Sequence, residues 1–325
     1  MTIPGDADEP TMHAVPWITA DVLPTLLTVS SAADVLVVGL RSAPPLDEQM
    51  LRSRLSWPSG ELLVMPAVHA GYCGVKLVGV PTAASRNYHG VQGAYLLFDG
   101  ASLQLKALID GAALTALRTP AMSLLVTQRL AAPDSCRLTV FGTGPQAWGH
   151  VLAMRSHYAL DSVQIVGRDE TNVNRFVTRC CALGIPATAS TAEKAVPRAD
   201  IICTCSSSNA PLFDGRLLLP HAHVNAVGSH TATSRELDDR AIAASQVVVE
   251  SRQVALAEAG ELIIPIQAGI VSEAVIRADL QELLSGAEVV EPAELTVFKS
   301  VGFGLADLIV AAEAYERYNA VSANG

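Results

Sequence analysis

Hydrophobic residues follow two different patterns along the chain, and the pattern changes near residue 110. Before that point, short apolar runs rich in valine or leucine predict strands at residues 62–68, 75–80, 94–98 and 103–109. The pair Asp99-Gly100 between the last two runs is a strong hairpin signal. Clustered strands joined by a hairpin indicate a mixed or antiparallel sheet.

From residue 138 onward, short apolar strands alternate with helical segments. We predict these strands at residues 138–141, 162–166, 186–189, 200–205, 223–227 and 246–249. Such alternation predicts a right-handed parallel sheet with helices on both faces. A last strand is expected at residues 295–300, and a long helix is expected from Val301 to about Asn319.

Helices are predicted beside both sheets. Residues 17–27 have helix-compatible apolar spacing, with Thr19 as the N-cap. Thr119 followed by Pro120 is typical of a helix start, because threonine is a good N-cap and proline is tolerated at the first helical position. We expect this helix to end near Leu130.

A glycine turn opens the alternating series. The pattern Gly142-x-Gly144-x-x-Ala147 is the dinucleotide-binding form that allows alanine at its third position. Gly142 permits a sharp turn, Gly144 lets a pyrophosphate approach the backbone, and Ala147 allows close helix packing. The helix that follows would direct free N–H groups at the phosphates. Because the turn begins a βα series, it predicts a Rossmann fold.

The end of the second strand of this series bears on the choice of cofactor. Sites for NAD place an acid there to bind the ribose hydroxyls. This chain has Gly167-Arg168, and an arginine can pair with a 2′-phosphate. We therefore expect NADP(H), while Asp169 keeps NAD(H) open because a small shift in register would bring its carboxylate to the ribose.

Composition and charge narrow the class of protein. Half of the 325 residues are hydrophobic and the formal net charge is −10, which argues against nucleic acid as a partner. No apolar run reaches the roughly 18 residues of a membrane span. Residues 1–14 look like a loose acidic tail without a signal peptide. Six cysteines without zinc-site spacing suggest reduced thiols, so we expect a cytoplasmic enzyme without a metal site or a membrane partner.

Three charged or titratable residues are candidates for chemistry. Lys76 lies in an apolar strand, where it is either a lysine extending to solvent at a strand end or a ligand or proton donor for a substrate. Arg118 precedes the predicted helix start, where the helix dipole disfavours a cation. It is either an exposed turn residue or a contact to an anion. His230 follows a predicted parallel strand and is either a surface histidine or a titrating group.

Six stretches together resemble the ornithine cyclodeaminase/mu-crystallin family. They occur in the family's order across about residues 50–320, and the ordered set is far more specific than any one of them. The stretches are Val64-Met-Pro-Ala67, the strand of Lys76, Leu117-Arg-Thr-Pro-Ala121, Gly142-Thr-Gly-Pro-Gln-Ala147, Asn225-Ala-Val-Gly228 with Arg235-Glu-Leu-Asp238, and Val297-Phe-Lys-Ser-Val-Gly302.

The resemblance implies an α/β homodimer with two domains. Residues 1–117 plus 300–325 would form a discontinuous α+β substrate-binding and dimerisation domain, and residues 118–299 a Rossmann dinucleotide-binding domain. Lys76 and Arg52 would hold the substrate carboxylate, with Arg54 as an alternative to Arg52, and Arg118 and Val301 would also contact the substrate. The residues expected at the dinucleotide are Arg118, Thr119, Gly142, Gly144, Pro145, Gln146, Ala147, Arg168, Ser206, Val227 and Ser300.

Two departures from the family pattern bear on the reaction. Relatives that cyclise ornithine carry acids where this chain has Leu63 and His230, and those acids serve the amine chemistry. We therefore expect an NAD(P)H-dependent reductase of cyclic ketimines such as pyrroline-2-carboxylate or piperideine-2-carboxylate. Lys76 would be the proton donor or an electrostatic stabiliser, and His230 a weaker candidate. The alternatives are ornithine cyclodeaminase with bound NAD, an alanine-type amino-acid dehydrogenase, and a non-catalytic, crystallin-like protein that binds NADP.

Overall fold

The computed structural model describes residues 15–46, 50–81, 91–286, 290–291 and 294–323. The predicted tail over residues 1–14 therefore lies outside the described residues. The strands are β1 (Trp17–Ile18), β2 (Ser53–Trp57), β3 (Gly60–His69), β4 (Tyr72–Pro81), β5 (Gln92–Asp99), β6 (Leu105–Asp110), β7 (Arg137–Phe141), β8 (Ser162–Val166), β9 (Ala187–Ala189), β10 (Ile201–Thr204), β11 (His223–Ala226), β12 (Gln246–Val249), β13 (Ile276–Asp279) and β14 (Thr296–Lys299). The helices are α1 (Leu23–Leu26), α2 (Val29–Ser42), α3 (Gly111–Leu130), α4 (Pro145–His157), α5 (Glu170–Cys181), α6 (Ala192–Ala195), α7 (Asp239–Ala244), α8 (Arg252–Glu258), α9 (Gly260–Gln267), α10 (Leu280–Ser285) and α11 (Gly304–Ser322).

The first sheet has the order β1-β6-β5-β4-β3-β2. Its neighbours are antiparallel, except that β1 and β6 run parallel, and the predicted hairpin joins β5 to β6. Helix α11 packs on β3 and β4, so a late segment of the chain completes the packing of the first sheet. The predicted helix over residues 17–27 is wrong at its start, because Trp17 and Ile18 pair with Leu108 and Ile109 as a strand.

The second sheet is parallel throughout, in the order β13-β12-β14-β11-β10-β7-β8-β9. The predicted parallel sheet is confirmed, and β13 is an additional strand that the sequence pattern did not indicate. From β7 the chain passes first to β8 on one side, and it later returns to β10 on the other side. This change of direction lies at the glycine turn after β7, where open α/β sheets bind their ligands.

Helix α3 is one continuous helix, which corrects the expected helix start at Thr119. Its N-cap is Asp110, whose carboxylate accepts a hydrogen bond from the backbone N–H of Ala113 at 2.8 Å. Pro120 therefore lies inside the helix rather than at its first position. The space beside Pro120 is filled by α4, where a Cβ on Gly149 would come within 2.8 Å of the proline ring. The Pro120 ring thus packs closely against α4, where only a glycine fits opposite it.

The architecture is the predicted α/β class, with a Rossmann-type sheet beside a mixed sheet. The predicted domain boundary between residues 117 and 118 lies within α3, and the division into domains stays a prediction. Within the described residues, no helix combines the length and apolar character that crossing a membrane requires.

Candidate active site

A cavity of about 720 Å³ lies between the two sheets. Its walls come from the inner face of β3 and β4, from α3, and from the loops that follow the carboxyl ends of strands in the parallel sheet. All but one of the site residues predicted from the sequence line this cavity. They are Arg52, Lys76, Arg118, Thr119, Gly142, Gly144, Pro145, Gln146, Arg168, Ser206, Val227, His230, Ser300 and Val301. The exception is Ala147, which is fully buried in the core behind the turn.

The glycine turn has the form that a dinucleotide requires. Gly142 has φ +115°, and a Cβ there would come within 2.5 Å of the carbonyl oxygen of Cys205. Glycine is therefore required by both conformation and space. Beside Gly144 there is open space, with no atom within 4 Å of where its Cβ would lie. Helix α4 begins directly afterwards at Pro145, so its amino end faces this opening.

Arg168 and Asp169 lie at the end of β8 and line the same cavity. The carboxylate of Asp169 accepts a hydrogen bond from the backbone N–H of Asn172 at 2.8 Å and so caps α5. Arg168 is exposed, and within the described parts of the chain no carboxylate lies close enough to form an ion pair with it. Asp169 is therefore engaged as a helix cap, whereas the Arg168 guanidinium has no ion-pair partner within the described chain.

Lys76 and Arg118 share one carboxylate in the interior. The Lys76 Nζ lies 2.7 Å from Oδ2 of Asp307, and the Arg118 Nε donates a hydrogen bond to Oδ1 at 2.9 Å. The Asp307 side chain is fully buried, and that of Lys76 is 2 % exposed. This arrangement corrects our prediction for Arg118, which lies inside α3 rather than at a helix start. Its charge is balanced by Asp307.

The protonation of this group follows from burial and charge. Burial lowers the pKa of Lys76 to about 8, although Asp307 opposes the change, while Arg118 adds to it. For Asp307, burial alone would raise the pKa, but Arg118 and Lys76 outweigh it and hold the pKa of the carboxyl below its ordinary value. Lys76 is therefore a protonated amine at neutral pH that can release its proton readily.

The two arginines near the start of β2 have different surroundings. Arg52 lines the cavity, pairs with Glu258 at 2.6 Å, and donates to the carbonyl oxygens of Val301 and Gly302 at 2.7 and 2.8 Å. Arg54 is not part of the cavity wall, because its guanidinium binds Glu61 and Glu258. The geometry therefore favours Arg52 as the arginine that faces a ligand.

His230 lines the cavity, but its imidazole is poorly suited to donate a proton. Burial, assisted by the nearby cations Arg52 and Arg54, lowers its pKa to about 4. The ring is therefore neutral at physiological pH. An uncharged imidazole can shape the pocket and accept a hydrogen bond, but it holds no labile proton of suitable acidity.

An apolar wall continues from Lys76 along the inner face of the first sheet. It is formed by Leu63 and Met65 of β3, by Val78 and Val80 of β4, and by Val91. Leu63 lies directly opposite Val78, and Met65 directly opposite Lys76, in the antiparallel register. The ammonium group therefore lies at the end of a hydrocarbon surface.

Two buried acids, which the sequence interpretation overlooked, hold the loops of the dinucleotide side. Glu236 accepts hydrogen bonds from the backbone N–H groups of Ser206 and Gly228, both at 2.8 Å, and from the hydroxyls of Ser206 and Thr204, both at 2.7 Å. Glu250 accepts from the Ser300 hydroxyl and from the two backbone N–H groups that follow it. Glu236 thus joins the loop after β10 to the loop after β11, and Glu250 joins the end of β12 to the loop after β14.

Asp307 was also missed, and each of the three acids had only a weak signal in the sequence. Asp307 is a single acid within the apolar run Leu305–Val310, Glu236 follows an arginine in a loop, and Glu250 ends an apolar strand. An acid at the end of an apolar strand is also an ordinary way to enter a surface turn. The sequence alone therefore could not distinguish these roles.

Comparisons with known proteins agree with this geometry. Residues 25–322 match the ornithine cyclodeaminase/mu-crystallin family. The rat ketimine reductase mu-crystallin is 32% identical over 316 residues, which cover 91% of this chain and 98% of the relative. A Delta(1)-pyrroline-2-carboxylate reductase of Bacillus cereus is 37% identical over 263 residues, covering 78% and 81% of the two chains.

Solved structures show the same fold. The Delta(1)-pyrroline-2-carboxylate reductase of Thermococcus litoralis, in complex with NADH and L-proline, superposes with a TM-score of 0.88 at 26% identity and covers 95% of this chain and 98% of that one. A probable ornithine cyclodeaminase from Bordetella pertussis gives 0.83 at 30% identity, with 95% and 98% covered. An archaeal alanine dehydrogenase dimer with bound NAD gives 0.87 at 25% identity, with 96% and 97% covered. The predicted resemblance is confirmed: this chain belongs to the ornithine cyclodeaminase/mu-crystallin family.

Proposed function

We propose that this protein is an oxidoreductase that uses NAD(P)H to reduce the C=N bond of cyclic ketimine carboxylates, such as pyrroline-2-carboxylate and piperideine-2-carboxylate. The observation that carries the proposal is the buried group of Lys76, Arg118 and Asp307 in the wall of a cavity that also contains a dinucleotide turn. The chain's similarity to a ketimine reductase and to a pyrroline-2-carboxylate reductase supports the proposal.

The charges of the site match a substrate with one carboxylate. Lys76 and Arg118 together carry two positive charges, and Asp307 supplies one negative charge, so one positive charge remains. Arg52 is already paired with Glu258. A single carboxylate would balance the remaining charge, whereas a second one would be buried without a partner, which is costly.

The apolar wall suits the hydrocarbon part of a cyclic ketimine. Leu63, Met65 and Val78 line the cavity beside Lys76, so a ring held by its carboxylate would lie against hydrocarbon. Ornithine would bring a second ammonium group to the same place. With Leu63 on the wall and a neutral His230, that ammonium would meet no acid among the described residues of the apolar wall. This contrast favours ketimine reduction over ornithine cyclisation.

The mechanism assigns separate tasks to the two sides of the cavity. The turn from Gly142 to Gln146 and the amino end of α4 would hold the pyrophosphate of the dinucleotide. When bound, the reduced dinucleotide supplies the hydride that is added to the imine carbon. Arg118 and Arg52 orient the substrate carboxylate, and Lys76 gives the proton to the imine nitrogen. The C=N double bond thus becomes a C–N single bond with new C–H and N–H bonds.

The preference between NADP(H) and NAD(H) rests on the end of β8. Arg168 is exposed there without a carboxylate partner in the described chain, and Asp169 is used to cap α5. An unpaired guanidinium is suited to a 2′-phosphate. We propose NADP(H) as the preferred cofactor on this ground, although solved relatives were determined with NADH or NAD.

We also propose that the protein is a homodimer that pairs through the first sheet, which with α11 would form the substrate and dimerisation domain. The outer face of that sheet exposes Leu55, Leu62 and Val68, with 58%, 41% and 68% of their surfaces accessible. Leu55 and Leu62 pair across β2 and β3, and exposed apolar side chains on one sheet face are typical of an interface. Light scattering on the purified protein should give twice the chain mass, and a monomeric mass would contradict the proposal.

One set of assays separates the candidate functions. The purified protein is given NADPH or NADH with each cyclic ketimine, and separately NAD⁺ with ornithine or alanine. We expect oxidation of the reduced dinucleotide by the ketimines. Proline and ammonia formed from ornithine, without ketimine reduction, would instead identify a cyclodeaminase. Tight dinucleotide binding without turnover of any substrate would indicate a binding protein.

A further inference from the structure

Asp307 occupies an unusual position for an acid. It is fully buried in the first turn of α11, and its two oxygens point to two different cations, Lys76 and Arg118. The amino end of a helix favours a negative charge, so the backbone also stabilises the ionised carboxylate. Asp307 does not line the cavity, and any effect that it has on a substrate must therefore pass through the two side chains it binds.

The other groups around Lys76 either repel its positive charge or are neutral. Arg118 of α3 and Arg52, which precedes β2, repel the ammonium. Tyr95 of β5 lies directly opposite Lys76 in the sheet, and burial, followed by the charge of Asp307, raises the pKa of its hydroxyl well above the ordinary value, so it stays neutral. Within the described residues, Asp307 is the one carboxylate in ion-pair contact with Lys76.

We propose that Asp307 is a positioning residue that holds the Lys76 ammonium at the cavity wall and keeps it protonated for transfer to the imine nitrogen. The proposal rests on the proposed ketimine reduction. When the proton leaves Nζ, Lys76 becomes a neutral amine and Asp307 stays ionised beside Arg118. The Asp307 carboxylate therefore keeps a cationic partner, Arg118, and never has to take up a proton.

The consequence can be measured in the pH dependence of kcat/KM for ketimine reduction. In the wild-type protein, the rate should fall as pH rises through the pKa of Lys76, because the amine loses the proton it must donate. The isosteric variant Asp307→Asn removes the attraction and leaves burial and two cations. An opposite charge at this distance shifts a pKa by about 1 to 3 units. We therefore expect the falling limb to move down by about that much.

Two matched variants distinguish charge from mere structure. Asp307→Glu keeps the negative charge, so its falling limb should stay close to that of the wild type even if kcat drops because the carboxylate is displaced. Asp200→Asn is the control, since Asp200 is also buried and paired with an arginine, Arg137. It lies before β10, at the amino ends of the parallel strands, whereas the cavity lies at their carboxyl ends. In the Asp200→Asn variant, the falling limb of kcat/KM should lie at the same pH as in the wild type.

Asp307→Asn leaves Lys76 and Arg118 buried together and could prevent folding. In that case Arg118→Gln is compared with the double variant Arg118→Gln/Asp307→Asn, in which one cation has been removed with the acid. The limb of the double variant should lie below that of Arg118→Gln. A uniform loss of activity at every pH, with an unmoved limb, would overturn the proposal. A wild-type protein that reduces no ketimine would instead overturn the proposed function.

Discussion

The guanidinium of Arg54 donates a 2.9 Å hydrogen bond from Nη2 to the carbonyl oxygen of His230. A strand of the first sheet thereby holds the loop that follows β11 of the second sheet. The same contact brings a cation close to the His230 ring, and together with burial it keeps the imidazole neutral. The contact with Arg54 therefore holds the backbone of His230 in place, but the low pKa of its imidazole makes it unsuited to proton donation.

The pH profile of reduction should contain one falling limb near pH 8, set by Lys76, and no inflection near the ordinary pKa of histidine. Because His230 has a pKa of about 4, it is already uncharged across this range. The variant His230→Asn should keep the shape of the kcat/KM profile between pH 5 and pH 9. A roughly 100-fold loss or more, with a changed profile, would identify His230 as the acid after all.

Lys76→Ala should lower kcat for ketimine reduction by about 10² to 10⁴, the usual contribution of a general acid. In the proposed arrangement the dinucleotide binds on the other side of the cavity, so NAD(P)H affinity measured by fluorescence should change little. Lys194→Ala, which removes a surface lysine on α6, is the matched control. Equal kcat values for the two variants would exclude Lys76 as the proton donor.

Arg168→Ala should weaken NADPH binding selectively, because its guanidinium is free to meet a 2′-phosphate and Asp169 is occupied as a helix cap. A charge-assisted hydrogen bond is worth about 1.5 to 3 kcal/mol, which corresponds to a loss of roughly 10- to 150-fold in affinity. Titration of the variant with NADPH and NADH measures the difference. Equal losses for the two dinucleotides would contradict the proposed preference.

Glu236→Gln should weaken dinucleotide binding although Glu236 does not line the cavity. An amide cannot accept the four hydrogen bonds that the carboxylate receives from Thr204, Ser206 and Gly228. The two loops after β10 and β11 would then separate. We expect Kd for NAD(P)H to rise about tenfold or more, with a lower Tm. Glu313→Gln, at a half-buried position of α11 paired with Arg317, is the control, and equal Kd values would show that the loops keep their positions without Glu236.

The parallel sheet was predictable because its strands are local apolar runs. The bounds predicted for β8 and β12 match the structure, and those of β7 differ by one residue. The short strand β13 was missed because Arg277 and Asp279 interrupt its apolar character. Its pairing with β12 is a contact between distant segments of the chain. Local pattern fails where tertiary pairing decides the structure.

Parts of the candidate site were predictable for a different reason. A lysine in an apolar strand is conspicuous, since its charge is costly to bury, and that signal led to Lys76. Its partner Asp307 was not conspicuous, because an acid in the first turn of a helix is ordinary. Pro120 was misinterpreted for the opposite reason: proline signals a helix start, but α3 begins earlier, with Asp110 as its N-cap.

The place of Asp307 on the last helix has a consequence for biosynthesis. A ribosome makes Lys76 and Arg118 long before it makes α11, and until then no acid from α11 balances the two cations. The first sheet can pair its strands earlier, but the substrate end of the cavity is complete only after the C-terminal helix has docked on β3 and β4. We therefore expect no activity before α11 has been synthesised and has docked, because a chain that stops before α11 would leave two like charges together.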